Sequence, residues 1–306
     1  MSDYLDIRPQ VAAALAAGRS VVALETTLLA HGLPPPHNLE AVRRMDAAVR
    51  AAGAVPATIG VLDGKVRVGL DAGEIARFAT AKDVAKVSRR DLAAVLAGKA
   101  CGATTVAASV ACAALAGIRV FATGGIGGVH RGGERSLDVS ADLSELARSP
   151  VAVVCAGAKA ILDLPRTLEV LETAGVPVIG YGTDEFPAFF TRRSGLALDA
   201  RVDTPEEAAN LLRAHWGLGP GGGVVIANPP PAEAAPDSDS LERWIEQALA
   251  TAQAQGVRGK AVTPFVLARL AELSGGRTVA ANLALLEANA RLAGQIAAAC
   301  AAPTPG

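Results

Sequence analysis

Lys159 closes the run VVCAGAK, and a lysine directly after so apolar a stretch is out of character for a soluble protein. Most lysines lie on solvated faces. Ala156, Gly157 and Ala158 leave space around this one, and desolvation would lower its pKa and favour the neutral amine that attacks a carbonyl to form a Schiff base. The other reading is an amine that snorkels to water from a strand end. Glu25, within VVALETTLLAHGLPPP, ends a second apolar run ahead of a loop stiffened by Pro34, Pro35 and Pro36. Apolar surroundings would raise its pKa and keep a proton available near neutral pH, as a general acid needs; a capping or ion-paired glutamate is the alternative.

Residues 123–142, TGGIGGVHRGGERSLDVSAD, hold six glycines together with His130, two arginines, Asp138 and Asp142. Glycine clusters mark sharp turns or close approach to a ligand, and the charges imply a polar ligand. The nucleotide-loop patterns fail here: from Gly125 the GxGxxG register meets His130 at its third glycine, and GxxxxGK[ST] occurs nowhere. No nucleotide cofactor is expected. Asp138 and Asp142 flank a helix start at Ser140, and one carboxylate among many waters suits magnesium or manganese, whereas zinc would need His or Cys partners that the spacing lacks. Ser140 or Asp138 could instead simply cap the helix. KVSRRDL places Lys86, Arg89 and Arg90 near another helix start, a setting for a phosphate or for a solvated basic turn. In GATTVAAS, Thr104 and Thr105 cap the next helix or line a polar pocket.

These residues need a scaffold, and short β-branched runs alternating with Ala/Leu-rich helical segments supply the βα rhythm of one. Strands are predicted at Ser20 to Leu24, Ala57 to Leu62, Arg119 to Ala122, Val151 to Cys155, Val176 to Tyr181 and Gly223 to Ala227. Their near-continuous apolar character predicts a sheet covered by helices on both faces. A hairpin is expected around Asp63 and Gly64, and the N-terminal stretch with Asp3, Asp6 and Arg8 reads as a first helix. PPPAEAAPDSDS reads as a loop, followed by helices over Leu241 to Gln255, Pro264 to Leu273 with Thr263 as N-cap, and Val279 to about Ala299. The expected architecture is a three-layer α/β/α domain spanning 1–306 around a largely parallel or mixed sheet. Its C-terminal helices, about 238–299, pack on the core, and 300–306 fray.

With 306 residues, 51% of them hydrophobic, and a net charge of −1, the chain can bury a large core and has no basic surface for nucleic acid. Apolar stretches are interrupted well before the roughly 20 residues needed to cross a bilayer, so no membrane partner is expected. The N-terminus lacks a basic start and an apolar h-region. Cys101, Cys112, Cys155 and Cys300 show no CxxC spacing and read as buried thiols of a cytoplasmic protein.

Taken together, VVALETTLLAHGLP, GAVPATIGVLDG, KVSRRDL, GATTVAAS, FATGGIGGVHRGGERSLDVSADL, VVCAGAKAILDL, VPVIGYGTDEFPAFF, VIANPPP and GKAVTPFVLARL resemble the pseudouridine-5'-phosphate glycosidases, also described as the indigoidine-cluster protein A family. The resemblance runs from about Val21 to Ile296. It implies reversible cleavage of the C–C glycosidic bond of pseudouridine 5'-phosphate to uracil and ribose 5-phosphate, with manganese or a similar divalent ion, in a homotrimer. By resemblance Lys159 is the nucleophile, Glu25 the proton donor and Asp138 the metal ligand. Lys86, Val106, Ser140, Ala141 and Asp142 contact substrate, as do His130 and Asn282, although His130 could equally fix the glycine loop. Thr26, Ala160, Arg135 and Leu137 depart from the common family pattern. A Schiff-base aldolase acting on a sugar phosphate and a non-catalytic sugar-phosphate sensor are the alternative functions.

Overall fold

Apolar runs without polar alternation become strands buried on both faces. The computed structural model describes residues 3–219 and 221–302. Its strands are β1 (Leu5–Ile7), β2 (Val21–Leu24), β3 (Val55–Leu62), β4 (Lys65–Val68), β5 (Ala85–Val87), β6 (Gly102–Thr104), β7 (Val120–Ala122), β8 (Val129–His130), β9 (Ala152–Cys155), β10 (Leu162–Asp163), β11 (Val178–Tyr181), β12 (Ala200–Val202) and β13 (Val224–Ala227). The main sheet has the order β1-β4-β3-β2-β7-β9-β13-β11-β12, with β6 also on β3 and β5 on β6. From β3 to β12 along this path each pair is parallel. The pairs β3–β4 and β3–β6 are antiparallel, so the sheet is mixed at that side. β8 and β10 form a separate antiparallel pair.

The six predicted strands are β2, β3, β7, β9, β11 and β13. The predicted hairpin joins β3 to β4, with Asp63 at φ 52° and Gly64 at φ 79°, as a two-residue turn of primed type requires. The expected first helix is corrected: Leu5–Ile7 is a strand on β4, where Asp6 pairs with Arg67, and the helix begins at Pro9. Asp237 caps a helix from Ser238 to Ala254, so the end of the expected loop is already helical. The next helix starts at Val262 with Ala261 as its N-cap, which places Thr263 and Pro264 in its first turn. The last helix runs from Arg277 to Ala301, taking in two residues of the expected frayed tail; residues 303–306 lie outside the described residues.

Helices on the sheet complete a three-layer α/β/α arrangement. One layer contains Arg277–Ala301, packed on His37–Ala51, Pro205–Gly217 and strands β2, β7 and β9. A second contains Val106–Leu115, which has no polar face and is buried from Val106 to Ala113 between the sheet and the helix Ala141–Leu146. Among the described residues no helix is long and apolar enough to cross a membrane.

The chain leaves β2 outward to β3 and β4, then returns as β7 on the other flank of β2. Such a reversal opens a crevice at the carboxyl ends of the strands, where open α/β sheets bind ligands. Glu25 follows β2, Thr123 follows β7, and Lys159 follows β9.

Candidate active site

Glu25 and Lys159 line one cavity of about 310 Å³ at those strand ends. Glu25 is buried, and Thr123 Oγ1 donates to its Oε1 at 2.5 Å. Burial raises its pKa; the charge of Lys159 and the Thr123 hydrogen bond oppose this without cancelling it. Lys159 is half-buried and held by its backbone, its N–H donating to Ile126 O at 3.0 Å while Leu162 N–H donates to its carbonyl. Gly157, at φ 83°, makes the turn that carries the chain from β9 to this lysine. A buried carboxyl that holds its proton more firmly than usual and a lysine amine thus share a pocket, on the loops after β2 and β9.

The same cavity takes in Lys86, Val106, His130 and Asp138, then Ser140, Ala141 and Asp142, and finally Asn282. Lys86 stands on the short strand β5, and its Nζ donates to Lys260 O at 3.1 Å. Burial, then the nearby charge of Lys159, bring its pKa down to about 8. Val106 is the first residue of its helix, whose N-cap Thr105 accepts from Ala108 N, and it lines the pocket. Thr104 has a different role from its neighbour, donating to Ile59 O and accepting from Ser109 in the core. His130 is half-buried on β8, its N–H donating to Asp138 O; burial lowers its pKa, with Asp138 opposing. Ser140 caps the helix Ala141–Leu146 by accepting from Asp142 N at 3.2 Å. Capping and lining the cavity are therefore both true of Ser140.

Asp142 is used internally. Its carboxylate accepts from Ala107 N at 2.8 Å and Gly127 N at 2.7 Å, tying the glycine loop to the start of the Val106 helix. A side chain on Gly127 would meet Ser140 Oγ at 2.2 Å, so this approach requires glycine. Arg89 leaves the predicted basic trio: it pairs with the buried Glu145 at 3.1 Å, while Arg90 lines the cavity. Thr26 donates to Ile59 O and accepts from Thr104 N behind the site, and Leu137 is exposed on a left-handed backbone at φ 53°. Of the four free cysteines, Cys112 and Cys155 are buried, which pushes their thiols up to about 12 and removes thiolate chemistry there.

Several residues that line the cavity or support it from behind had no individual signal in the sequence. Thr123 was read only as part of the glycine stretch, and its bond to Glu25 links residues 98 apart. Asn289 donates to Thr123 O and accepts from Asn228, one helical heptad beyond Asn282, a spacing that could have marked a shared face. His31 and Lys260 also line the cavity, and burial and Lys86 lower the pKa of His31.

Asp138 offers a hard oxygen donor at the cavity wall. Among the described residues no group of three or more His, Cys, Asp or Glu is placed to hold a metal. This donor set suits a cation that keeps most of its waters, as magnesium and manganese do, and does not suit a protein cage.

A sequence model of the family described as indigoidine synthase A like protein matches residues 10–299. The chain belongs to that family. Its relatives include the pseudouridine-5'-phosphate glycosidase of Herpetosiphon aurantiacus, 57% identical over 295 residues that cover 96% of this chain and 97% of the relative. The enzyme of the same name from Solibacter usitatus is 56% identical, covering 96% of this chain and 98% of its own. Among solved structures, the prealnumycin C-glycosynthase AlnA in complex with ribulose 5-phosphate matches with a TM-score of 0.90 at 44% identity, covering 98% of both chains. An indigoidine synthase A (IdgA)-like protein of Thermotoga maritima matches at 0.86 and 38% identity, over 96% of this chain and 95% of that one.

Proposed function

We propose that this chain is a pseudouridine-5'-phosphate glycosidase, reversibly cleaving the C–C glycosidic bond of its substrate to uracil and ribose 5-phosphate. The observation that carries this reading is the presence of Lys159 and a buried Glu25 of raised pKa in one cavity, in a chain more than half identical to enzymes of that name. An ordinary glycosidase protonates a heteroatom leaving group between two carboxylates. The uracil leaving atom is carbon, and a lysine answers that difficulty.

Lys159 attacks C1' and displaces the ring oxygen, which takes a proton, to give an open-chain amine adduct. Glu25 delivers a proton to C5, and the nitrogen lone pair then forms the C1'=N bond of an iminium as the C1'–C5 bond breaks, its electron pair restoring the C5=C6 bond of uracil. Water hydrolyses the imine to ribose 5-phosphate and free Lys159. Lys86, Val106, the Ser140 hydroxyl and Ala141 receive the phosphate end; His130 adds a hydrogen-bonding imidazole. Asp138 would hold manganese or a similar divalent ion, which supplies screening of the phosphate charge.

The reading takes 1–306 as one catalytic domain, cytoplasmic and homotrimeric. Packing of the C-terminal helices on the core supports the first, unpaired thiols the second, and family resemblance the third. The test is uracil release from pseudouridine 5'-phosphate with added manganese. Equimolar uracil and ribose 5-phosphate are expected. A folded protein that binds ribose 5-phosphate and releases no uracil would leave the aldolase or the sensor as the better account.

A further inference from the structure

VPVIGYGTDEFPAFF has no part in the chemistry above, yet the chain spends residues 182–199 on an excursion between β11 and β12 that contains no helix or strand. Loops of this length inside a compact fold usually serve a site. Its turn is pinned beside the lysine loop: Phe189 N–H donates to Ala156 O at 2.9 Å, and Ala188 bridges Gly157. Phe186, Phe189 and Phe190 are all buried, and of the three Phe189 also lines the cavity. Its backbone is left-handed at φ 62°, an outlier for a bulky residue, which persists only where the surroundings enforce it. Phe190 packs edge-on against the ring, with centroids 4.5 Å apart.

The glycine stretch orders the cavity into two ends. Gly127 lies against Ser140 and Asp142, the polar end. A side chain on Gly125 would strike the Phe189 ring at 2.6 Å, and one on Gly124 would meet Leu286 at 3.3 Å and Asn282 Oδ1 at 3.5 Å. Ile126, between them, carries the Lys159 backbone. Glu25, bonded to Thr123, belongs to the Gly124 end. The Lys159 backbone therefore joins the wall between Ser140 and Asp142 on one side and an amide, Leu286 and an aromatic ring on the other, with Glu25 bonded to Thr123 beside the latter.

We infer that Phe189 is the floor of the aglycone subsite and sets the size of ring that Glu25 can protonate. This rests on the proposed glycosidase activity. With the ring in place the subsite admits a bare pyrimidine; with it removed, the space behind Gly125 opens to a larger one.

The test is synthesis from ribose 5-phosphate with uracil or with uracil analogues carrying bulkier ring substituents, using wild type, Phe189→Leu and Phe189→Gly. The glycine variant suits the left-handed backbone and guards against loss of fold in the leucine one. Both are expected to raise KM for uracil by about tenfold, to narrow the preference for uracil over the bulkier analogues, and to form the borohydride-trapped ribose 5-phosphate adduct at the wild-type rate. An unchanged uracil KM and analogue preference would overturn the assignment, as would an equal loss of adduct formation and uracil use. Failure of the glycosidase reading is distinguishable, because wild type itself would then release no uracil from pseudouridine 5'-phosphate.

Discussion

Glu25 and Lys86 are displaced in pKa by the same cause, burial, and with opposite results: the acid keeps its proton longer and the base loses its proton sooner. For Glu25 this predicts activity that declines as pH rises through its elevated pKa. Glu25→Gln should leave ribose 5-phosphate adduct formation intact and slow uracil release by about 100-fold or more. Equal loss of both steps, in a rapid-quench comparison, would contradict its role as proton donor. Lys86 predicts the alkaline side. Its charge is lost as pH rises through about 8, so KM for the phosphate substrate should climb there, and Lys86→Arg should remove that rise because arginine stays charged. The sign for stability is the reverse: between about 8 and the usual value of 10.5 the unfolded chain binds more protons at this lysine, and its contribution to stability improves as pH rises. Lys159 and Glu25 were readable from sequence because each contradicts its apolar surroundings. Thr123 and Asn289 were not, since their significance lies in partners 98 and 166 positions away.

At the level of elements, the glycine loop is held from behind by a carboxylate. Asp142 satisfies two backbone donors at once, Gly127 N and Ala107 N, and an amide oxygen in its place loses the charge that strengthens both bonds. Asp142→Asn should lower stability by about 1–3 kcal/mol, seen as a reduced denaturant midpoint, together with weaker substrate binding; an unaltered midpoint would show that the staple contributes little. Sequence reading placed Asp142 at the site without separating this structural use from substrate contact, because spacing reports neighbourhood and not hydrogen-bond direction. It missed β5, β6, β8, β10 and β12 for a related reason: two or three residues contain no periodicity to detect, and sheet pairing decides their conformation. The six central strands were legible since burial on both faces demands an uninterrupted apolar run.

For the whole molecule, the fold gathers a pocket from both ends of the chain. Lys86 reaches the carbonyl of Lys260, 174 residues on, and Asn289 on the last helix holds the turn after β7. Ligand at the pocket should therefore stabilise the entire fold: ribose 5-phosphate at 100 times its Kd should add about 2.7 kcal/mol, measured as a raised unfolding midpoint. Chelation should reduce activity and manganese should restore it, with Asp138→Asn abolishing the rescue if its carboxylate holds the ion. Each of these readouts surrounds the covalent step without observing it. Reduction with borohydride in the presence of ribose 5-phosphate, followed by peptide mapping, observes it directly. A single reduced pentose phosphate adduct on Lys159 is the predicted result, and a protein that turns over substrate yet leaves Lys159 unmodified would contradict the mechanism.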